Sequence, residues 1–147
     1  MAADSGRTVI LFLDTSVLLA ACGSASGASR ALFDLAPRNG WMLLATPYVL
    51  GEVVTNLDHF PASATAAWVK LRPQLEIVDD VVSLDRPAVF PVSKDRPILF
   101  SALAWANVLL TLDQGDFNPL GGQFYHLHIQ SPAAFIQQTR RVGNLRE

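Results

Sequence analysis

Five acidic residues stand where an otherwise apolar strand or helix face would carry none. Two end apolar runs of strand length, two belong to helical segments between such runs, and one follows in a turn; in that order they are Asp14, Asp113, Glu52, Asp95 and Asp116. Because a parallel sheet directs the carboxyl ends of its strands to one edge, we expect these carboxylates to lie together. Carboxylates gathered in one place repel one another unless a cation neutralises them. The pattern therefore predicts a divalent metal site.

The residue types at this predicted site favour magnesium or manganese over zinc. Carboxylate oxygens are the ligands that hard cations prefer, and the chain has one cysteine and three histidines that form no competing cluster. Such an ion can lower the pKa of a bound water, orient a phosphate and stabilise charge on a departing oxygen. This chemistry fits hydrolysis of a phosphodiester or of a phosphoryl group.

Each acid also has a simpler interpretation when it is taken alone. Asp14 and Asp95 could each cap the helix that follows, and Asp95 stands two residues before a proline, a common capping arrangement. Glu52 could lie at the margin of its helix's apolar stripe and reach water. Asp116 could belong to an ordinary polar turn. It is the joint placement of the five that favours a site.

Length and composition predict one globular domain. The 147 residues are half hydrophobic and only 16% charged, which is typical of a compact fold rather than of disorder. The net charge of −2 argues against binding nucleic acid through bulk charge, and one cysteine excludes an internal disulfide. We expect a single domain over residues 1–147, with flexible tails at 1–7 and 142–147.

The apolar stretch near the start of the chain, residues 9–22, raises the question of a targeting signal. Its last residues imitate a lipoprotein cleavage box, but Asp4 beside Arg7 leaves no positive leader and Asp14 interrupts the stretch. No other segment approaches the ~20 uninterrupted apolar residues of a spanning helix. The sequence predicts a soluble, cytoplasmic protein without membrane association.

Apolar runs of strand length alternate with helical patterns along the chain. The runs lie at 8–13, 41–45, 75–78, 108–112 and 124–129. Strands that alternate with helices form parallel sheets covered by helices on both faces. We predict an α/β protein, a three-layer α/β/α fold with a mostly parallel sheet of about five strands.

The helix boundaries are predicted from capping residues and prolines. Thr46-Pro47 should begin a helix that runs to about Asp58, and Ser131-Pro132 should begin the last helix. Further helices are expected over 28–37, between Pro61 and Pro73, and from Asp95-Arg-Pro97 onward. The segment 79–94 is interpreted as a loop with room for a short helix.

With these residues in view, the sequence resembles the PIN-domain family, especially the VapC-type toxins of bacterial toxin–antitoxin pairs. Residues 9–16 are similar to the family's opening strand with its first acid, and residues 47–56 to the helix with its second. Residues 94–106 look like the helix that carries the third acid, and residues 110–117 like the strand end that carries the rest. The similarity spans about residues 8–136.

The resemblance implies a metal-dependent endoribonuclease that hydrolyses RNA, the toxin of a toxin–antitoxin pair. In such an enzyme one or two Mg²⁺ or Mn²⁺ ions would be held by Asp14, Glu52, Asp95 and Asp113, with Asp116 assisting and Ser16 placing Asp14 or a water. It also implies a cognate antitoxin protein and a homodimer. Many relatives keep the last two acids two apart, whereas three positions separate Asp113 from Asp116 here, so either could be the main ligand.

Two other functions remain open from the sequence. A PIN-like domain could have lost catalysis and serve as a binding module, although such a module need not keep the acids. A metal-dependent phosphatase could use the same strand-end aspartate, although the helix-borne Glu52 and Asp95 fit it less well. For an RNA enzyme, phosphate contacts could come from Lys94, Arg96 or Arg140-Arg141, each of which could equally be solvated surface charge.

Overall fold

Strands and helices alternate along most of the chain in the computed structural model, which describes residues 8–84, 95–117 and 120–147 but not the side chains of Gln114 and Asp116. Within these ranges the strands are β1 (Ile10–Leu13), β2 (Met42–Ala45), β3 (Glu76–Ile77), β4 (Val108–Leu110), β5 (Gln123–Phe124) and β6 (Leu127–Gln130). The helices are α1 (Thr15–Gly23), α2 (Ala28–Asn39), α3 (Pro47–Leu57), α4 (Ala62–Leu71), α5 (Arg96–Trp105), α6 (Gln114–Phe117) and α7 (Pro132–Arg141), with a 3-10 turn at Arg72–Gln74.

The strands form one sheet in the order β3-β2-β1-β4-β6-β5. Every neighbouring pair is parallel except β5, which runs antiparallel to β6 at one edge. The chain moves outward from β1 to β2 and β3, then returns to β4 on the other side of β1. Since such crossovers are right-handed, the reversal places helices on both faces of the sheet. The predicted α/β class with a mostly parallel sheet is confirmed.

The predicted count of about five strands is wrong by one in the described ranges, because the run 124–129 is divided. Phe124 ends β5 and Leu127 begins β6, and the two are joined by a turn in which Tyr125 has a φ of 53°. Phe124, Leu127 and Ile129 are all buried although their spacing cannot place them on one face of a single strand. The turn shifts the alternation of side chains between the two faces of the sheet, so that all three side chains face the core.

Capping residues begin two helices as the sequence predicts. The Thr46 hydroxyl accepts the Val49 N–H at 3.5 Å and the Ser131 hydroxyl accepts the Ala134 N–H at 3.1 Å, each ahead of a proline in the first turn. The helices predicted over 28–37, between the two prolines and after Asp95 are also present. Of the predicted loop at 79–94, residues 79–84 carry no helix or strand and residues 85–94 lie outside the described ranges.

The core lies on the central strands, which are buried on both faces. Leu11, Phe12, Leu109 and Leu110 are fully buried, as expected where helices cover both sides of a parallel sheet. In the ranges that the structure describes, we find no helix whose length and apolar character would let it cross a bilayer.

The last residues of the chain are held by one side chain of α2. Asn39 accepts the Arg146 N–H through Oδ1 at 2.7 Å and donates through Nδ2 to the Arg146 carbonyl at 2.8 Å. Its Nδ2 also donates to the Leu35 carbonyl at 2.8 Å, which orients the amide from within its own helix. Asn39 therefore acts as a clamp on the segment predicted to be a tail.

Replacing Asn39 tests whether this clamp orders residues 142–147. In Asn39→Ala we expect the Arg146 amide to exchange with solvent about ten-fold faster, because each hydrogen bond contributes about 0.5–1.5 kcal/mol. Amide exchange followed by NMR measures this, with Asp34→Ala on the exposed face of α2 as the control. Equal exchange in wild type and Asn39→Ala would show that the predicted flexible tail is the better description.

Candidate active site

The parallel strands bring four of the predicted acids to one edge of the sheet. Asp14 directly follows β1, and Asp113 lies just beyond the end of the neighbouring strand β4. Glu52 is carried by α3, which leaves the end of β2, and Asp95 stands at the start of α5, which leads into β4. A helix that follows a strand starts at the carboxyl edge of the sheet, and so does a helix that runs back to the start of the next strand. Ligands bind at this edge in open α/β sheets.

Asp14 is buried and its Oδ2 atom accepts two hydroxyl hydrogen bonds. Thr111 donates at 2.6 Å and Ser16 donates at 3.0 Å. The same two hydroxyls accept backbone N–H groups, Thr111 from Asp113 at 2.9 Å and Ser16 from Leu112 at 3.0 Å. Since each hydroxyl has one proton, accepting an N–H leaves that proton for Asp14. The two hydroxyls therefore tie the end of β1 to the loop that carries Asp113.

The capping interpretation of Asp14 does not hold for its side chain. Asp14 occupies the position before α1 with extended backbone, φ −67° and ψ 158°, yet within the described structure its carboxylate makes no capping hydrogen bond to α1. The carboxylate turns instead to Ser16 and Thr111.

Glu52 is joined to Asp14 through the residue between them in space, Thr15. The Thr15 hydroxyl donates to Glu52 Oε1 at 2.6 Å, and the Thr15 backbone N–H lowers the pKa of the Asp14 carboxyl. Glu52 is partly buried, at the margin of the buried stripe Val49, Val53 and Leu57. The marginal position that the sequence left open is therefore correct, and from there the carboxylate contacts α1.

Asp95 is buried at the start of α5, with 7% of its surface exposed. Its backbone takes the N-cap position, but in the described structure its side chain does not cap the helix. The charge of its carboxylate acts on the Tyr48 hydroxyl and raises the pKa of that group. Capping, the simpler interpretation of Asp95, therefore does not account for this buried acid.

The pKa of Asp14 is raised above the ordinary value for aspartate. The main cause is burial, and the negative charge of Glu52 adds to it. The groups that lower the pKa are hydrogen bonds from Thr111, Ser16 and Thr15, all of them neutral donors. Among the residues that the structure describes, no cationic side chain lowers the pKa of this carboxylate.

Tyr48 shows that the acids face a common region. Burial raises the pKa of its hydroxyl first, followed by the charges of Glu52, Asp95, Asp80 and Asp14 in decreasing order. Four carboxylates from distant parts of the sequence thus act on one phenol. Three of the predicted acids, Asp14, Glu52 and Asp95, are in this group, and a common metal site for them stays a prediction.

Asp80 is an acid at this edge that the sequence analysis did not select. It follows β3, and its Oδ2 accepts the Tyr48 N–H at 3.1 Å in the first turn of α3. Its Oδ1 is buried and has no hydrogen-bond partner among the described residues. Like Asp14 and Asp113, Asp80 follows a predicted strand, here the run 75–78, and this position is the signal that could have identified it.

Thr15 and Thr111 were also missed, because hydroxyl residues beside an acid are common and carry little signal. Thr111 is 1% exposed. Its sequence signal was its position as a polar residue directly after an apolar run. Ser16 was selected and contacts Asp14. The side chain of Asp116, the assisting acid, and Lys94 lie outside what the structure describes, so the choice between Asp113 and Asp116 stays open.

The described side chains do not complete a metal site by themselves. Among these residues no three acidic, histidine or cysteine side chains are grouped so that they could hold a metal ion. The donor chemistry nevertheless fits a hard cation: carboxylate oxygens from separate elements, and at Asp14 and Glu52 only neutral hydrogen-bond donors among the contacts described above. Carboxylates that lie near one another attract positive charge.

Comparison with known proteins gives structural matches alone. No protein-family model and no curated protein sequence matches the chain. Among solved structures, one chain of the Rickettsia felis VapBC2 complex bound to a promoter DNA fragment matches with a TM-score of 0.62 and 17% identity, over 84% of this chain and 98% of that one. The Mycobacterium tuberculosis toxin VapC20, which cleaves the sarcin-ricin loop, matches with a TM-score of 0.46 and 20% identity, over 76% and 95%. The Rickettsia felis match confirms the predicted architecture: the chain has a PIN-like fold.

Proposed function

We propose that the chain is a divalent metal-dependent endoribonuclease of the VapC type. The observation that carries this proposal is the linked pair Asp14 and Glu52 at the carboxyl edge of a PIN-like sheet. The Thr15 hydroxyl binds Glu52, and among the residues that the structure describes only neutral groups lower the pKa of the buried Asp14. A buried carboxylate near a second one is stabilised when a cation lies between them. A cation in this position can also bind a phosphate oxygen.

In this proposal Asp14, Glu52, Asp95 and Asp113 hold the ion, Mg²⁺ or Mn²⁺, and Asp116 assists. When bound, the ion supplies the positive charge that stabilises the phosphate as the phosphodiester is cleaved. Ser16 and Thr111 orient Asp14 by occupying its Oδ2 atom. Thr15 holds one oxygen of Glu52, which leaves the other to bind the ion or to orient the attacking water.

The proposed biological role is that of a toxin with a cognate antitoxin. Its support is the likeness in fold to a chain of the Rickettsia felis VapBC2 complex, which was solved on a fragment of its own promoter. We propose a small DNA-binding antitoxin as the partner of this chain and RNA as its substrate. Homodimerisation stays a prediction from the resemblance.

Removing single acids tests the nuclease proposal. In Asp14→Asn and Asp113→Asn we expect manganese-dependent cleavage of single-stranded RNA to fall about a hundred-fold or more, because loss of a ligand should cost at least as much as loss of its supporting residues. Asp34→Asn, on the exposed face of α2, is the matched control and should cleave at the wild-type rate. Full activity in both site variants would refute the assignment.

Thermal unfolding separates an ion-binding site from a buried structural acid. Because the folded pKa of Asp14 is raised, the stability it contributes is present below the ordinary aspartate pKa and lost as the pH rises through the folded value. At neutral pH without divalent ions, Asp14→Asn should therefore melt higher than wild type, by about 2–4 °C for each kcal/mol gained.

Added Mn²⁺ should reverse this order, because it stabilises the folded wild type by binding and has less to bind in Asp14→Asn. Calorimetric titration of the same proteins with Mn²⁺ gives the affinity directly. A wild-type melting temperature that does not respond to millimolar Mn²⁺ would favour a PIN-like module without catalysis.

Thr15 should act as a positioning residue for Glu52. In Thr15→Val the shape is kept but the 2.6 Å hydrogen bond is lost, so we expect weaker Mn²⁺ binding and RNA cleavage about ten-fold slower or more. Thr15→Ser keeps the hydroxyl and is the matched control. If Thr15→Val binds Mn²⁺ and cleaves RNA as Thr15→Ser does, the hydroxyl has no role in the site.

A further inference from the structure

A cleft of about 960 Å³ opens at the edge of the sheet opposite the acids. It is bounded by Val9, Trp41 and Val108, which directly precede or begin β1, β2 and β4. The end of α2, the last turns of α7 and residues 142–146 form its walls. The nuclease proposal makes no use of this amino edge of the sheet. The volume of the cleft is that of small-molecule sites, which span roughly 300–1,000 Å³.

The lining of this cleft is cationic. Its charged side chains are those of Arg38 and Arg146, and it includes no aspartate or glutamate. The whole chain has a net charge of −2, so the balance in the cleft is opposite to that of the molecule. A local excess of positive charge of this kind attracts anions whatever the net charge.

Both arginines line this cleft, and the Asn39 clamp fixes the backbone of Arg146 there. Arg146 is bonded through both its N–H and its carbonyl to Asn39, which directly follows Arg38 in the chain. Within the described ranges neither guanidinium pairs with a carboxylate, and the nearby Glu147 pairs with Arg140 at 2.6 Å instead. Two cationic side chains that line one cleft without a carboxylate partner favour an anion there.

Neutral donors and an aromatic floor complete the cleft. Gln138 accepts the Gln130 amide through Oε1 at 2.6 Å, which leaves its own Nε2 as a donor. Trp41 and Phe135 pack edge to face with their rings 5.0 Å apart beneath the polar rim. Because α2 and α7 both end here, and helix carboxyl ends repel anions, any attraction must come from the arginines.

We propose that the Arg38–Arg146 cleft binds a phosphate-bearing small molecule of the nucleoside monophosphate class. Guanidinium groups bind phosphate oxygens through paired, charge-assisted hydrogen bonds, and two of them with an amide donor match one phosphate. The remaining volume and the aromatic floor admit a nucleoside. This site is separate from the acids and does not depend on the nuclease proposal.

Calorimetric titration of the full chain in a metal-free, chelator-containing buffer tests the site, with AMP, inorganic phosphate and adenosine as probes. We expect saturable binding of AMP and phosphate and none of adenosine. Arg38→Gln and Arg146→Gln should each weaken AMP binding about ten-fold, the effect of losing one charge-assisted contact. Arg72→Gln, in the 3-10 turn outside the cleft, is the matched control and should bind as wild type does.

Three results would overturn the proposal. Adenosine binding as tightly as AMP would show that phosphate is not recognised. Unchanged AMP affinity in both arginine variants, with their fold verified by circular dichroism, would exclude the cleft. Loss of AMP binding in Asp14→Asn with no loss in the arginine variants would place the nucleotide at the acidic edge.

Discussion

The burial of one carboxylate at the end of β1 is the constraint around which the acidic edge is organised. Asp14 is 5% exposed, and removing a charge from water is costly unless hydrogen bonds or an opposite charge compensate it. Among the described residues the compensation is neutral: hydroxyls of Thr111 and Ser16 and the N–H of Thr15. Neutral donors fix the orientation of the carboxylate but leave its charge in place. This uncompensated charge is the basis of the proposal that a cation binds at Asp14.

The polarity of the parallel sheet separates two regions of opposite charge. Carboxylates collect where β1, β3 and β4 end, since the loops that leave parallel strands share one edge. At the other edge, where the strands begin, Arg38 and Arg146 line one cleft, and Asn39 holds the backbone of Arg146. The two proposals place a cation at the first edge and an anion at the second.

Local chemistry made much of the fold predictable. Thr46-Pro47 and Ser131-Pro132 begin helices because a hydroxyl caps the first N–H groups and proline suits the first turn. The apolar runs of β1 and β4 identify strands covered on both faces. The division at Tyr125 was missed, since a positive φ at tyrosine leaves no signature in the sequence. The sequence likewise did not predict strand boundaries that are set by tertiary pairing, such as those of the short β5.

The sequence by itself determined which residue types could form a site and the order in which strands and helices deliver them. An acid after an apolar strand can be recognised in the sequence, because it ends an apolar run. Only the tertiary structure decided which atoms meet: that Thr15 connects Glu52 to Asp14, that Thr111 connects Asp14 to Asp113, and that Asp80 joins the same edge. The physical reason is that a hydrogen bond between residues 37 or 97 positions apart depends on the packing of whole elements, which no local pattern encodes.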